Sequence, residues 1–261
     1  MKIENRTLII SGGASGLGKA CLVDLLKQGA NVSVLDVSQD AGSQLAAELG
    51  NAVKFIHCNV LETDSIATAV KESARWAQET GKPLGGAISA AGISIPATVL
   101  DRNGSAFDMD MFDAVVNINL RGTVDLVRLV AEQMAATVKP DADGERGVVI
   151  LVSSSAAYDG QKGQVSYSAS KGAVASMTLP MARDLARYGI RCVTIAPSLF
   201  DTAMTSVMSD KVRKGLEATF EFPKRPGRAS EFAQLARQVI ENSMLNGTVI
   251  RIDGGSRPSK L

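Results

Sequence analysis

The chain has 261 residues, 45% of them hydrophobic and 21% charged, a balance that excludes a disordered chain and predicts one soluble α/β domain. Its 28 basic and 27 acidic residues give a net charge of +1, so we expect no nucleic-acid partner and no membrane surface as a partner. No apolar run reaches about 18 residues and a strand pattern begins near the N-terminus, which predicts an intracellular protein without a signal peptide.

Short β-rich runs alternate with helix-length segments in which apolar residues recur at spacings of three and four. This alternation predicts a single-domain Rossmann-type fold, a doubly wound parallel seven-stranded sheet with helices on both faces. Ser38 and Thr63 are candidate helix N-caps, and the polar segment 139–147 is expected to be a surface loop. The predicted strands are 7–11, 32–36, 53–58, 86–90, 148–153, 192–196 and 248–252.

The first predicted strand leads into a glycine-rich turn, residues 11–18, and a helix follows near Leu17. Glycines at 12, 16 and 18 permit a tight turn and let a pyrophosphate approach the backbone amides at the positive end of the helix. Asp36 ends the second strand, where its carboxylate can accept hydrogen bonds from both hydroxyls of an adenine ribose. Because this charge would repel a 2′-phosphate, the sequence favours NAD over NADP. A solvated aspartate at a strand end is the alternative.

The chain's three cysteines and its one histidine argue against a metal site. Cys21, Cys58 and Cys192 form no C-x-x-C pair and stand in apolar patterns, so buried reduced thiols are predicted. His57 is expected at a strand end. A single histidine argues against a histidine-built metal centre and against a Ser-His-Asp triad, and no metal is expected.

Tyr167 and Lys171 are four residues apart in a predicted helix, so their Cβ atoms lie on one face, roughly 5 to 6 Å apart. The neighbouring ammonium is expected to lower the pKa of the phenol from about 10 toward 8. Such a tyrosine exchanges a proton with an alcohol near neutral pH. An ordinary surface Tyr/Lys pair is the alternative interpretation.

Several further motifs occur in a specific order: Ser89-Ala90-Ala91-Gly92, Asn119, Ser154 and Ala196-Pro197. With the glycine turn and the Tyr167/Lys171 pair, this set resembles the short-chain dehydrogenase/reductase family over essentially the whole chain. Residues 1–255 are assigned to its Rossmann domain. Segments 167–172, 177–186, 195–200 and 241–247 are similar to the branch of type-2 3-hydroxyacyl-CoA dehydrogenases, also known as 17β-hydroxysteroid dehydrogenase type 10.

The resemblance implies a four-residue catalytic site. Tyr167 would be the acid/base, and Lys171 would lower its pKa and hold the nicotinamide ribose. Ser154 would hydrogen-bond the substrate oxygen, and Asn119 would anchor a relay water. Ser154 is preferred over the adjacent Ser155 because its 13-residue distance from Tyr167 matches the family pattern.

The same resemblance implies NAD as the cofactor, with Gln161 beside Ser154 and Tyr167 at the substrate. Three residues depart from the family pattern: Asn59 replaces an aspartate at the adenine, Ser89 an asparagine that braces the central strands, and Ser198 a glycine. The implied cofactor-binding residues are Gly12, Ser15, Gly16, Leu17, Gly18, Asp36, Asn59, Val60, Ala90, Gly92, Tyr167, Lys171, Pro197, Phe200 and Thr202.

Segment 201–222 lacks a strand signal and is predicted to include a mobile substrate lid. Its methionines at 204 and 208, with Val207 and Leu216, offer an adaptable apolar surface. Basic side chains within and after this segment either contact CoA phosphates or are simply solvated. They are Lys211, Arg213, Lys214, Lys224, Arg225 and Arg228.

The chain ends in Ser259-Lys260-Leu261, the tripeptide that a peroxisomal import receptor reads, and residues 256–261 are predicted to be an exposed tail. Because peroxisomes house fatty-acid β-oxidation, we expect peroxisomal, NAD-dependent oxidation of the 3-hydroxyl of a 3-hydroxyacyl-CoA. A broad hydroxysteroid or secondary-alcohol dehydrogenase is the first alternative. A noncatalytic dinucleotide-binding scaffold is an alternative of another class. The resemblance also implies a homotetramer.

Overall fold

Seven parallel strands form the central sheet of the computed structural model, which describes residues 1–206 and 208–258. Their order across the sheet is β3-β2-β1-β4-β5-β6-β9, and each neighbouring pair is parallel, as predicted. The strands are β1 (Thr7–Ser11), β2 (Asn31–Asp36), β3 (Val53–His57), β4 (Leu84–Ser89), β5 (Gly147–Val152), β6 (Ile190–Pro197), β7 (Phe200–Asp201), β8 (Gly227–Arg228) and β9 (Val249–Ile252).

The central strands β1, β4, β5 and β6 are buried along their whole length, as expected of a parallel sheet covered on both faces. β4 and β5 approach closely at Gly86, which has a φ of +142°. A Cβ atom there would lie 1.7 Å from the carbonyl oxygen of Val148, so only glycine fits this position.

Helices cover both faces of the sheet and divide the apolar core in two. On one face α1 and α10 pack together, and Leu22 and Phe232 are fully buried there; on the other, α3 and α5 bury Ile66 and Leu126. The helices are α1 (Gly16–Lys27), α2 (Gln39–Leu49), α3 (Thr63–Glu79), α4 (Met109–Val116), α5 (Gly122–Thr137), α6 (Val165–Ser176), α7 (Thr178–Ala186), α8 (Ala203–Ser206), α9 (Asp210–Glu217) and α10 (Ala229–Glu241). A π-helix (Asn117–Arg121) joins α4 to α5, and a 3-10 helix (Ser155–Ala157) follows β5.

The predicted strand boundaries agree with these elements to within two residues, and three other expectations need correction. Ser256, in the predicted exposed tail 256–261, is buried and shares a hydrogen bond with Thr219. Ser38 is the N-cap residue of α2, but Glu62 is the N-cap of α3, so Thr63 is already its first helical residue. Segment 201–222 does contain a strand residue, because Asp201 belongs to β7, which pairs with β8 in a separate two-stranded sheet. Strands of two residues are too short to show the alternation on which a strand prediction depends.

The loop before β5 is more than the surface loop that its polar residues predict. Glu145 is buried, and its carboxylate accepts hydrogen bonds from the N-terminal ammonium of Met1 at 3.0 Å and from Arg191 Nε at 2.8 Å. Arg191 also donates to the carbonyls of Val239, Ile240 and Leu245, which joins the loop to the end of α10. Although burial raises the pKa of the Glu145 carboxyl, hydrogen bonds from the N-terminus and Arg191 hold this pKa below its usual value.

The cysteines and the histidine lie where the sequence places them. Cys21, Cys58 and Cys192 are free and buried, and His57 is the exposed last residue of β3. Within residues 1–206 and 208–258, no helix combines the length and apolar character needed to cross a bilayer.

Candidate active site

A cavity of about 560 Å³ opens at the carboxyl ends of the central strands. This edge is where open parallel sheets bind ligands, because the strand order reverses between β1 and β4. The glycine turn, Asp36, Ser154, Tyr167 and Lys171 all line this one cavity. Residues far apart in the sequence therefore share a single binding space.

The glycine turn forms one wall of the cavity with exposed backbone. Gly12 has a φ of +64°, and a Cβ atom there would lie 2.8 Å from the Cα of Ala91. A Cβ atom at Gly18 would lie 2.2 Å from the carbonyl oxygen of Gly12. The absence of side chains thus allows both the tight turn and its contact with the loop after β4.

Asp36 is fixed at the end of β2 by two backbone hydrogen bonds. Its Oδ2 accepts from the amide of Ala14 in the glycine turn, and its Oδ1 accepts from the amide of Ser38, both at 3.0 Å. The carboxylate therefore holds a set orientation at the wall of the cavity. Its charge is available to hydroxyl groups and is unfavourable to a phosphate at the same place.

Asn59 lines the same end of the cavity, but its side-chain amide already has local partners. Its Nδ2 donates to Glu62 Oε1 at 2.7 Å, and its Oδ1 accepts from the amide of Leu61 at 3.1 Å. Arg121 of the π-helix donates to the carbonyl of Leu61 and to the hydroxyl of Thr63. Asn59 thus shapes this loop, and the adenine contact that the resemblance implies for its position stays a prediction.

The catalytic end of the cavity brings together a hydroxyl, a phenol and an ammonium. Ser154 follows β5, and its Oγ accepts a hydrogen bond from the amide of Ala156 at 3.1 Å. Lys171 Nζ lies 5.8 Å from the centre of the Tyr167 ring and donates to the carbonyl of Val152 at 2.8 Å. The four-residue spacing on α6 therefore places the ammonium beside the phenol, as the sequence predicts.

The electrostatic consequence of this placement differs from the expectation. Burial raises the pKa of the Tyr167 phenol above its usual value, and a hydrogen bond with Ser154 lowers it only in part. Burial also lowers the pKa of Lys171 to about 8. The expected shift of the phenol toward 8 is therefore wrong for the protein groups alone, because desolvation disfavours both charged forms at once.

Asn119 lies directly behind the cavity wall, inside the π-helix. It is fully buried, and its side chain pairs with the backbone of Ile93, accepting from the amide at 2.8 Å and donating to the carbonyl at 2.9 Å. Its Nδ2 also donates to Ser170 Oγ at 3.1 Å. A Cβ atom at Gly92 would lie 3.0 Å from Asn119 Oδ1 and 3.4 Å from Lys171 Nζ, so a larger residue here would crowd both side chains.

Comparison with known proteins identifies the family of the chain. A family model described as short chain dehydrogenase matches residues 6–213. The chain is 42% identical over 256 residues to 3-hydroxyacyl-CoA dehydrogenase type-2 of Drosophila melanogaster, covering 98% of both chains. It is 40% identical over 258 residues to the Homo sapiens protein of that name, covering 98% of this chain and 96% of the relative. A solved structure of 3-hydroxyacyl-CoA dehydrogenase type-2 from Mycobacterium avium is 36% identical, with a TM-score of 0.90 and coverage of 99% and 100%.

The chain belongs to the short-chain dehydrogenase family. It is therefore an oxidoreductase, and the predicted family and Rossmann-type sheet are confirmed. The family assignment rests on most of the chain, so it does not depend on the glycine turn alone.

Most residues that the family resemblance singles out lie on the cavity of this short-chain dehydrogenase. Asn119 does not line the cavity but lies behind its wall. Gln161 lies outside the cavity, where its backbone amide donates to Gln164 Oε1. Ser155 is buried but does not line the cavity, whereas Ser154 does. The predicted residues on the cavity wall are Gly12, Ser15, Gly16, Leu17, Gly18, Asp36, Asn59, Val60, Ala90, Gly92, Ser154, Tyr167, Lys171, Pro197, Phe200 and Thr202.

The cavity is also lined by residues that could not be assigned to the site from the sequence motifs alone. Most of these residues directly follow or precede predicted site residues at strand ends, and that position is the signal by which they could have been found. Ile118 precedes Asn119 but lies in the π-helix and not at a strand end, and Thr205 is adjacent to no predicted site residue. The additional lining residues are Leu35, Val37, Cys58, Leu61, Ala91, Ile93, Ile118, Val152, Ser153, Ser198 and Thr205.

Segment 201–222, for which a lid stays a prediction, contains α8 and α9, and the basic side chains within and after it fall into two groups. Arg213 pairs with Asp201 and Glu217, and Arg225 pairs with Glu231. The others, Lys211, Lys214, Lys224 and Arg228, are exposed and form no ion pair with another described residue. Val207, predicted to add apolar surface, and the terminal Ser259-Lys260-Leu261 lie outside the described residues.

Proposed function

We propose that this short-chain dehydrogenase oxidises the 3-hydroxyl of a 3-hydroxyacyl-CoA to a 3-keto group, with NAD as its cofactor. The observation that carries the proposal is the convergence of Ser154, Tyr167 and Lys171 on the cavity that also contains the glycine turn and Asp36. The similarity to 3-hydroxyacyl-CoA dehydrogenases over nearly the whole chain supports the substrate class.

The residues of the cavity fit a dinucleotide with an unmodified adenine ribose. Backbone amides of the turn at Gly12 would face the pyrophosphate at the start of α1. Asp36 would accept hydrogen bonds from the ribose hydroxyls and repel a 2′-phosphate, which favours NAD over NADP. Lys171 would hold the nicotinamide ribose beside Tyr167.

When bound, NAD supplies the acceptor for the hydride that leaves the carbinol carbon. Tyr167 removes the hydroxyl proton of the substrate, and Ser154 holds the same oxygen by a hydrogen bond. Tyr167 would accept this proton as the phenolate and become the neutral phenol, and the ammonium of Lys171 would stabilise the phenolate before the transfer, since the two groups are close in a buried site. No step requires a metal ion.

Two other functions remain as alternatives for the same cavity. A hydroxysteroid or other secondary alcohol presents the same hydroxyl to Ser154 and Tyr167, so the catalytic residues alone do not separate these substrates. A noncatalytic dinucleotide-binding scaffold needs neither Ser154 nor Tyr167 in the cavity, and their presence there favours an enzyme.

The test compares kcat/KM for 3-hydroxyacyl-CoA substrates of several chain lengths with kcat/KM for a hydroxysteroid, each with NAD and with NADP. We expect the highest value for an acyl-CoA with NAD. Tyr167→Phe is the matched control, because it keeps the ring and should lower kcat at least about 10²-fold while NAD still binds. A higher kcat/KM for the steroid would favour the first alternative, and no turnover of any alcohol would favour the scaffold.

We further propose that the enzyme acts in peroxisomes and assembles as a homotetramer. The terminal tripeptide Ser259-Lys260-Leu261 supports the location, through recognition by the import receptor. Exposed apolar side chains on α4 and α6, including Met109, Met111 and Val165, support assembly through the helices that flank the catalytic residues. Sedimentation at micromolar concentration should show the tetramer, and a monomer alone would overturn that proposal.

A further inference from the structure

The π-helix that carries Asn119 is held from behind by two buried hydroxyl groups. Thr123, in the first turn of α5, donates its hydroxyl hydrogen to the backbone carbonyl of Asn119 at 2.8 Å. Ser89, the last residue of β4, donates to Thr123 Oγ1, also at 2.8 Å. Both side chains are buried, so water does not compete for these hydrogen bonds.

The hydroxyl groups of Ser89 and Thr123 lie where the backbone forms a π-helix and not an α-helix. In the π-helix the amide of Gly122 donates to the carbonyl of Asn117, five residues earlier instead of four. Such turns are rare and need support, because their hydrogen bonds are spaced unlike those of the flanking helices. A threonine hydroxyl that bonds the carbonyl four residues earlier competes with the regular helical hydrogen bonds and favours a local departure from them, and here that carbonyl belongs to Asn119.

On its other side, Asn119 is connected to the catalytic helix. Its Nδ2 donates to Ser170 Oγ at 3.1 Å, and Ser170 donates to the carbonyl of Tyr167 at 2.8 Å. Ser89, Thr123, Asn119, Ser170 and Tyr167 thus form a continuous series of contacts from the end of β4 to the proposed acid/base. A shift of the π-helix would therefore move Asn119 relative to Tyr167.

We propose that Thr123 and Ser89 are positioning residues, which fix the π-helix so that Asn119 holds its place beside the catalytic helix. This inference rests on the proposed function, because it concerns the same reaction. It also assigns a role to Ser89, which departs from the family's asparagine: the serine braces the site through Thr123.

The test uses Thr123→Val, which keeps the shape of the side chain and removes its hydroxyl, with Thr123→Ser as the matched control that keeps the hydroxyl. Loss of one buried hydrogen bond should lower kcat about fivefold, whereas KM for NAD should change less than about twofold. Thr123→Ser should restore kcat to within about twofold of the wild-type value. The apparent pKa in the pH profile of kcat should differ from the wild-type value in Thr123→Val and equal it in Thr123→Ser.

A second variant and a second measurement test the proposal even if Thr123→Val does not fold or the activity assay fails. Ser89→Ala removes only the donor to Thr123 and should lower kcat in the same direction, with thermal unfolding used to check that each variant is folded. Amide hydrogen exchange at residues 117–123 should be faster in Thr123→Val than in Thr123→Ser, whatever the substrate is. If the wild-type protein turns over no 3-hydroxyacyl-CoA, the proposed function fails and this exchange measurement alone decides the positioning role.

Two results would overturn the inference. One is wild-type kcat and wild-type amide exchange in both Thr123→Val and Ser89→Ala. The other is an equal loss in Thr123→Ser and Thr123→Val, because the loss would then not depend on the hydroxyl, which Thr123→Ser keeps.

Discussion

Lys171 illustrates how burial and function compete at a single residue. The ammonium is enclosed and donates to the carbonyl of Val152, yet the environment lowers its pKa to about 8. The folded protein therefore holds this positive charge at neutral pH only at a cost in stability. That cost is consistent with a residue kept for catalysis, since a buried apolar side chain would stabilise the fold more.

This cost predicts a pH dependence of stability. The pKa of Lys171 lies below its unfolded value of about 10.4, so the unfolded chain binds more protons between these two values and the lysine destabilises the fold less as the pH rises. Between pH 7 and 9.5 the wild-type protein should gain about 2 kcal/mol of unfolding free energy relative to Lys171→Met. Urea unfolding of both proteins without cofactor measures this difference. A constant difference over that range would mean that Lys171 is not strongly desolvated.

Asp36 is the residue on which the cofactor preference depends. Asp36→Ala should weaken NAD binding and narrow its advantage over NADP, because it removes both the acceptor of ribose hydroxyls and the charge that repels a 2′-phosphate. The ratio of kcat/KM for NAD and NADP is the measurement. Asp36→Asn is the control, since it removes the charge but keeps one oxygen to accept from the amide of Ala14. An unchanged ratio in Asp36→Ala would exclude Asp36 from the specificity role.

At the scale of elements, strands and the glycine turn could be predicted because their causes are local. Alternation, turn glycines and the four-residue spacing of Tyr167 and Lys171 are visible in the sequence. The π-helix at Asn119 and the burial of Glu145 could not be predicted, since both depend on partners far along the chain. The predicted lowering of the Tyr167 pKa was wrong for the same reason. The sequence spacing shows the neighbouring charge of Lys171 but not the desolvation of the phenol.

The buried carboxylate of Glu145 provides a prediction for the contact between the loop before β5 and α10. Glu145→Ala should lower the unfolding free energy by about 3 kcal/mol or more, because it leaves the buried guanidinium of Arg191 without its partner. Since the pKa of Glu145 is lowered in the fold, this contribution should be complete at neutral pH and decrease as the pH falls through that lowered pKa.

Urea unfolding at pH 7 and at lower pH tests this prediction, with Arg75→Ala as the control. The Arg75–Glu79 pair is exposed, 64% and 59% for the two side chains, and its loss should cost less than about 1 kcal/mol. Equal stability of the Glu145→Ala and Arg75→Ala variants would show that the buried pair contributes nothing specific.

At the scale of the whole molecule, the C-terminal tripeptide should affect location without affecting chemistry. Deletion of Ser259-Lys260-Leu261 should leave kcat and KM unchanged, because the tripeptide follows the last predicted strand and belongs to no sequence motif of the site. The truncated protein should move from peroxisomes to the cytosol.

An antibody suits this experiment better than an N-terminal fusion, since the ammonium of Met1 is buried against Glu145. The host cells must lack the full-length chain, which would otherwise carry a truncated partner with it. Peroxisomal location of the truncated protein would refute the tripeptide as the address.

The strand order of the sheet also has a consequence for how the chain folds. Neighbouring strands of the seven-stranded sheet are parallel, so no pair is closed by a hairpin, and Ser11 of β1 pairs with Ser89 of β4 although β2 and β3 lie between them in the sequence. Contacts between such distant segments slow folding, because the loops must close before the contacts stabilise them. The cavity lies at this junction of β1 and β4. The glycine turn follows β1, and the loops that carry the predicted catalytic residues lie beyond β4. Dinucleotide binding depends on this junction, so we expect its recovery during refolding to report the pairing of β1 with β4.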